Sequence, residues 1–392
     1  MKRLILIISI SILLFSQNSV FAQGCMSGGD EGVKVVGFFQ PQYESYLYGD
    51  DNNGNSLNEN RFTINRARIG FIGSIPYDFG YYLFVETSPF SNNSPKLLDA
   101  FISYKRFAPY ATFVIGQFKS PFGLELNTPC HKLHTIYRSE VTSQLASPLC
   151  DLGFMVLGGS DTTFYKYQFG LMNGKGMGLT DDNTNKDIVG RLTLNPFVNN
   201  DDINLNIGGS FRFGQRATDQ GDKDDVVTRF GGEIEFEYKN FLLQGEYITS
   251  TYEGQNTIIQ PIYGGCGGVI GHDTLQPGTY KRGGFWIQAM YMTKWNIQPV
   301  IKYELYDPDL DIAVSNYSTI DDFIKDENIN MNYLKGALQT SIITFGVNYF
   351  LNDWTRIQLN YLYKIEESSS DISYLYFEES NDAIVLQIQV QF

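Results

Sequence analysis

The chain has 392 residues, 43% hydrophobic and 15% aromatic, with 38 glycines and a formal charge of −14. That charge argues against a general nucleic-acid binder, which needs basic surface to neutralise phosphates. A chain rich in aromatics and glycine whose mean hydropathy is still −0.20 is what strands alternating between two faces produce, since each strand averages to neutral.

The first segment is a targeting signal rather than structure. Met1-Lys2-Arg3 is a positive start, Leu4 to Phe15 an apolar stretch, and Val20-Phe21-Ala22 a cleavage context before Gln23, so residues 1–22 read as a removable secretory signal. The apolar stretch is short for a spanning helix, which needs about 20 residues. Ala22-Gln23-Gly24 before Cys25 is a poor match to a lipoprotein acylation site, so no lipid anchor is expected. Residues 23–32 form a short N-terminal segment and residues 33–392 the folded domain.

From there the chain alternates. Ala67, Ile69 and Phe71 suit an apolar surround and turn Arg66 and Arg68 to the other face. Ile203, Leu205, Ile207, Phe211 and Phe213 oppose Asn204, Asn206, Ser210 and Arg212. Phe230, Ile234, Phe236 and Tyr238 oppose Arg229, Glu233, Glu235 and Glu237; Ile297, Ile301, Tyr303 and Leu305 oppose Gln298, Lys302 and Glu304. Ile357, Leu359, Tyr361 and Tyr363 oppose Arg356, Gln358, Asn360 and Lys364. In the last ten residues Ile384, Leu386, Ile388, Val390 and Phe392 alternate with Gln387, Gln389 and Gln391, and the chain ends on an aromatic. Side chains two apart share a strand face, and a terminal aromatic strand is similar to the signal by which outer-membrane barrels are assembled.

A soluble sandwich would pack such apolar faces together; the connections decide against it. Short ones (Pro76–Phe79, Ala108–Tyr110, Lys239-Asn240, Lys294–Asn296, Asn352-Asp353) are flanked by Phe107, Tyr110, Tyr238, Phe241, Tyr291, Trp295, Tyr349 and Trp354. Long polar ones run Gly49–Asn60, Ser120–Cys150, Gly174–Lys186, Gln215–Asp225, Glu253–Arg282, Asp307–Gln339 and Glu366–Asp382. Short periplasmic turns, long outer loops and aromatic girdles define an all-β transmembrane antiparallel β-barrel of about 16 strands with both ends periplasmic. Such a barrel encloses water.

Two stretches carry a family resemblance: Arg61 to Phe71 running on through Gly80 to Glu86, and Asp99 to Tyr104 joined to Phe113 to Glu125. Both resemble the phosphate-selective porin O and P family, in motif over the first third and in layout from Val33 to Phe392. The resemblance implies a sixteen-stranded barrel, a homotrimer, and basic residues guiding anions such as phosphate to a constriction. Only Arg66, Arg68 and Lys119 lie inside matching motifs; Arg191 and Arg212 join them as further lumen-facing cations on an expected anion pathway. Two readings stay open: these cations line the pathway, or they anchor acidic residues. The acidic chain departs from a strictly anion-selective pattern. With Glu233, Glu235, Glu237, Glu246 and Glu304 coming later in the chain, a lumen basic on one wall and acidic on the other is expected, with weak anion selectivity.

Ser120 to Cys150 holds two of the three histidines and two of the four cysteines. A long loop inside a compact architecture is usually functional; folded inward, this one narrows the pore and brings His131, Lys132, His134 and Arg138 to the constriction. Cys130 and Cys150 are expected to close it as a disulfide, which an oxidising compartment permits. The rival is a zinc site of Cys130, His131, His134 and Cys150, but adjacent Cys130-His131 is awkward for tetrahedral ligation. Cys25 and Cys266 are left without an assigned pairing.

Other motifs are weaker. Asp50 to Gly54 in a calcium-loop register puts Gly49 first and Asn60, not a bidentate glutamate, last. Asp219 to Asp225 reads as a solvated loop, and Gly264 to Gly268 lacks the lysine and helix of a phosphate loop and reads as flexible. No cofactor or metal is implied. The expected protein is a passive channel for small hydrophilic solutes in the bacterial outer membrane, its partners being lipid, the barrel assembly machinery and small solutes or inorganic anions. A structural or adhesive barrel acting through its outer loops is the alternative. A barrel enzyme is not supported, because His131, His134 and His272 have no serine or aspartate motif to complete a nucleophile–base pair.

Overall fold

The computed structural model of the protein describes residues 32–47, 60–88, 95–181, 183–198, 200, 202–216, 225–254, 258–264, 268–275, 278–308, 310, 339–366 and 382–392. The expected signal over residues 1–22, Cys25, Asp50 to Gly54, Asp219 to Asp224 and Cys266 lie outside them. In chain order the strands are β1 (Gly32–Tyr46), β2 (Asn60–Ile75), β3 (Phe79–Glu86), β4 (Lys96–Phe107), β5 (Ala111–Lys119), β6 (Cys150–Gly159), β7 (Tyr165–Met172), β8 (Asp187–Leu194) and β9 (Ile203–Arg216). Then follow β10 (Asp225–Tyr238), β11 (Phe241–Gly254), β12 (Ile258–Gly264), β13 (Gly268–Leu275), β14 (Gly278–Tyr291), β15 (Ile297–Asp307), β16 (Thr340–Asn352), β17 (Thr355–Glu366) and β18 (Ala383–Gln391).

All but β12 and β13 close into one antiparallel barrel of sixteen strands, each paired with its neighbour and β1 sealed to β18. Closure leaves the barrel without an open edge, as strands crossing lipid require. The last strand shows the mechanism. Gln387 and Gln389 are buried inside, while Ile384, Leu386, Ile388 and Val390 are 36–46% exposed on the outside. Pro41 sits where the β1–β2 register shifts, a place where its missing N–H is tolerated. At the turn end of the barrel Tyr77, Asp78, Lys239 and Asn296 adopt positive φ, as tight hairpins demand. Tyr77, Phe107, Tyr110, Trp295 and Trp354 are exposed there as an aromatic girdle.

The strand ends bracket the expected connections, except that Glu253–Arg282 contains β12, β13 and the start of β14; residues 48–59, 217–224, 311–338 and 367–381 within those connections lie outside the described residues. Residues 160–164 and 195–202 are further turns at the short end, and residues 87–95 a further connection at the long end. Gly264 and Gly268, read as part of a flexible loop, belong instead to a hairpin in which β12 pairs with β13 apart from the barrel. Pro261 and glycines hid that hairpin by depressing strand propensity.

Candidate functional site: the inward loop and the lumen wall

The segment between β5 and β6 turns into the barrel rather than away from it. It carries helices α1 (Leu124–Asn127) and α2 (Glu140–Leu145), with a short 3-10 turn at Cys130–Lys132. Val141 and Leu145 of α2 are fully buried with Phe118, Phe122, Leu126, Met172, Val189 and Ile248, an apolar core assembled inside the lumen. Ser139 caps α2 by accepting from the Thr142 N–H.

The wall grips this loop at several points. The Glu246 carboxylate of β11 accepts the backbone N–H groups of Leu124 and Glu125, both at 3.1 Å, and the Trp286 Nε1–H at 3.2 Å. Lys302 of β15 donates to Glu125 at 2.6 Å and lies 3.6 Å from Glu304. On the far side the amide-bearing strands hold loop backbone. Asn348 donates to the His134 carbonyl at 2.9 Å, Gln389 to the His131 carbonyl at 3.1 Å, and the Ile136 N–H donates to Asn360 at 2.8 Å. The glutamines read from sequence as a polar face therefore have a mechanical role.

The expected loop residues are all inside the barrel, with different duties. Arg138 donates to the carbonyls of Glu125, Leu126 and Thr128, so it staples the loop to itself instead of facing a solute. His134 Nδ1 is 3.2 Å from the Gln298 carboxamide oxygen. The His131 ring packs 5.3 Å from Phe38. Burial, reinforced by Lys132 and Arg356, holds the His131 imidazole down at about 3; burial likewise holds His134 at about 4. Lys132 is half-buried and lines both large cavities of the lumen.

The disulfide expectation is corrected. Cys150 is a free, buried thiol, while Cys130 is disulfide-bonded, so the two are not joined to each other. Cys150 sits in the β5–β6 ladder opposite Lys119, a position fixed by strand pairing and not by the loop. Cys130 is thereby unavailable to zinc, and among the described residues no group of three or more His, Cys, Asp or Glu could hold a metal.

Of the lumen cations, Arg68 pairs with Glu86 at 2.8 Å, Arg191 with Glu233 at 2.5 Å and Arg212 with Asp187 at 2.6 Å. The anchoring reading thus describes these three arginines. The two-walled lumen is not observed: buried Glu86 and Asp187 lie among the cations of β2 to β9, and buried Arg229, Lys302 and Arg356 among the strands that carry the later glutamates, so the charges interleave. Arg66 differs. Its Nη1 donates to Gln40 at 2.8 Å, while Nε and Nη2 have no hydrogen-bond partner although the residue is 1% exposed. Arg356 donates through Nη2 to Gln389 at 3.0 Å, and its Nε is likewise unmatched. Gln40 in turn donates to Gln389 at 2.7 Å, joining the two arginines through an amide relay. Arg356 lies on the polar face of its strand but outside the motifs, which is why sequence reasoning did not select it.

A closed sixteen-stranded barrel, apolar outside, with a loop folded across a polar lumen, defines an outer-membrane porin. The chain belongs to the phosphate-selective porin O and P family, whose model matches residues 39–392. No curated protein matches by sequence. Among solved structures, the anion-selective porin from Comamonas acidovorans aligns with TM-score 0.60 at 12% identity, covering 93% of this chain and 100% of its own. The outer-membrane channel DcaP of Acinetobacter baumannii aligns with TM-score 0.61 at 12% identity and the same coverages. OmpT of Vibrio cholerae in its trimer form aligns with TM-score 0.55 at 11% identity, again over 93% and 100%. At such identities the likeness is one of fold.

Proposed function

We propose that this porin passes small hydrophilic solutes with a weak preference for anions, phosphate among them, and that Arg66 with Arg356 supplies that preference. One observation carries the reading. Both guanidiniums keep unmatched donors beside the amide relay, whereas Arg68, Arg191 and Arg212 are each closed onto a carboxylate. Arg presents a planar fork suited to oxyanions. Lys119 and Lys132 face the lumen cavities and add to the field. Residues 1–22 act as the export signal, the C-terminal strand is the assembly signal, and three copies associate, as the trimer form of OmpT does.

Reversal potential across a salt gradient in a planar bilayer tests this. A small anion preference is expected. Arg66→Gln and Arg356→Gln should each move it toward cations, while replacing Arg191 and Glu233 together should leave it nearly unchanged. If the Arg66 variant leaves selectivity intact, these arginines do not guide ions. A barrel that inserts but carries no current leaves the outer loops as the working part.

A further inference from the structure

The lumen is not polar throughout. Between β1–β5 and the inward loop lies a cavity of about 290 Å³ whose wall is formed by Phe38, Tyr82, Phe84, Leu98, Phe101 and Phe118. The rings form a continuous surface: Phe38 and Phe84 are 6.2 Å apart, Tyr82 stacks on Phe84 at 5.5 Å, and Tyr82 meets Phe101 at 5.6 Å. The cavity reaches the short-turn rim at Trp354 and Phe392. Its charged lining comprises Arg68, Lys119 and Lys132 against Asp99; Glu86, just outside, offsets Arg68.

Inorganic anions do not account for such a surface, since a hydrated oxyanion gains nothing from six apolar side chains. A wholly apolar solute does not account for the lysines. Concave, mostly apolar pockets with a few convergent polar groups are the ordinary form of a small-molecule site. We propose that this cavity is a binding subsite for an organic monoanion bearing an aromatic ring, an aryl carboxylate, whose ring lies on the Phe38–Phe84–Tyr82 surface and whose carboxylate faces Lys119. The proposal rests on the porin reading for its route of entry but not for its binding.

The test uses phenylacetate, with acetate and benzyl alcohol as comparators, on the full chain in lipid nanodiscs. Saturation-transfer NMR reads ring contact directly, and empty nanodiscs subtract partition into lipid. Phenylacetate is expected to bind about tenfold more tightly than acetate, the return on burying a ring. Leu98→Trp should fill the cavity and abolish the signal. Lys119→Gln should weaken phenylacetate several-fold while leaving benzyl alcohol unchanged. In bilayers, phenylacetate should interrupt the open current where acetate does not. Equal affinity for phenylacetate and acetate in the unaltered protein overturns the proposal, whichever variants fold. So does undiminished binding to a folded Leu98→Trp barrel. Binding without current would instead defeat the porin reading and leave the subsite standing.

Discussion

Lys302 and Glu125 are buried at 2% and 3% side-chain exposure and meet at 2.6 Å. Removing one partner of a buried ion pair strands the other charge and costs about 3–5 kcal/mol, whereas exchanging both for apolar groups is often neutral. Lys302→Met alone should therefore loosen the inward loop and appear as frequent current transitions in single-channel records; Lys302→Met with Glu125→Leu should largely quiet them. An equally noisy double variant would show that the pair is not what holds the loop. The histidines give a second expectation at this scale. Their folded values of about 3 and about 4 lie below the ordinary 6.5. The docked loop thus holds the neutral rings, and a released loop takes up protons first. Docking is strongest above pH 6.5 and weakens as pH falls toward 4, by up to about 1.4 kcal/mol per unit per histidine. Open-channel noise should grow over that interval and flatten in a His131→Gln, His134→Gln variant. None of these partnerships was visible in the sequence. Glu246 and Leu124 are 122 residues apart, Lys302 and Glu125 177, and Asn360 and Ile136 224. Alternation says which face a side chain takes, not what crosses the lumen to meet it.

At the scale of elements, the strands were legible because lipid on one side and water on the other leave a strict period of two. The inward loop was legible by its length and its concentration of histidine and cysteine. What failed there was the cysteine pairing. Spacing suggested Cys130 with Cys150, but Cys150 is the first residue of β6 and is held in the ladder opposite Lys119 as a free thiol. The helices inside the loop were too short to show a helical period. Their packing is nevertheless substantial: Val141 and Leu145 are wholly buried against wall residues from several strands. Leu145→Ala should cost about 2–5 kcal/mol of docking, and Leu145→Asp should expel the α2 segment. The measurable consequence is larger unitary conductance with unchanged barrel content by circular dichroism. Conductance equal to that of the parent would mean that the loop does not set the narrowest section.

For the whole molecule, the net charge of −14 and the proposed anion preference point in opposite directions, and distance resolves them. Many of the acids fall in the sequence between strands, as in Asp219 to Asp225; any repulsion of anions that they exert through water is screened by salt. In the proposed function Arg66 and Arg356, which sit on the Gln40–Gln389 amides, act on ions at hydrogen-bond range. The Debye length falls from about 30 Å at 0.01 M to about 3 Å at 1 M. Raising salt should erase the long-range repulsion of anions at the outer mouth and leave the short-range arginines at work. The anion-to-cation permeability ratio is therefore expected to rise between 0.01 and 1 M, against the usual decline of a channel governed by a diffuse lumen charge. A ratio that falls with salt would mean that the closed ion pairs still project a positive field, and that the acids at the mouth do not reach the permeating ion.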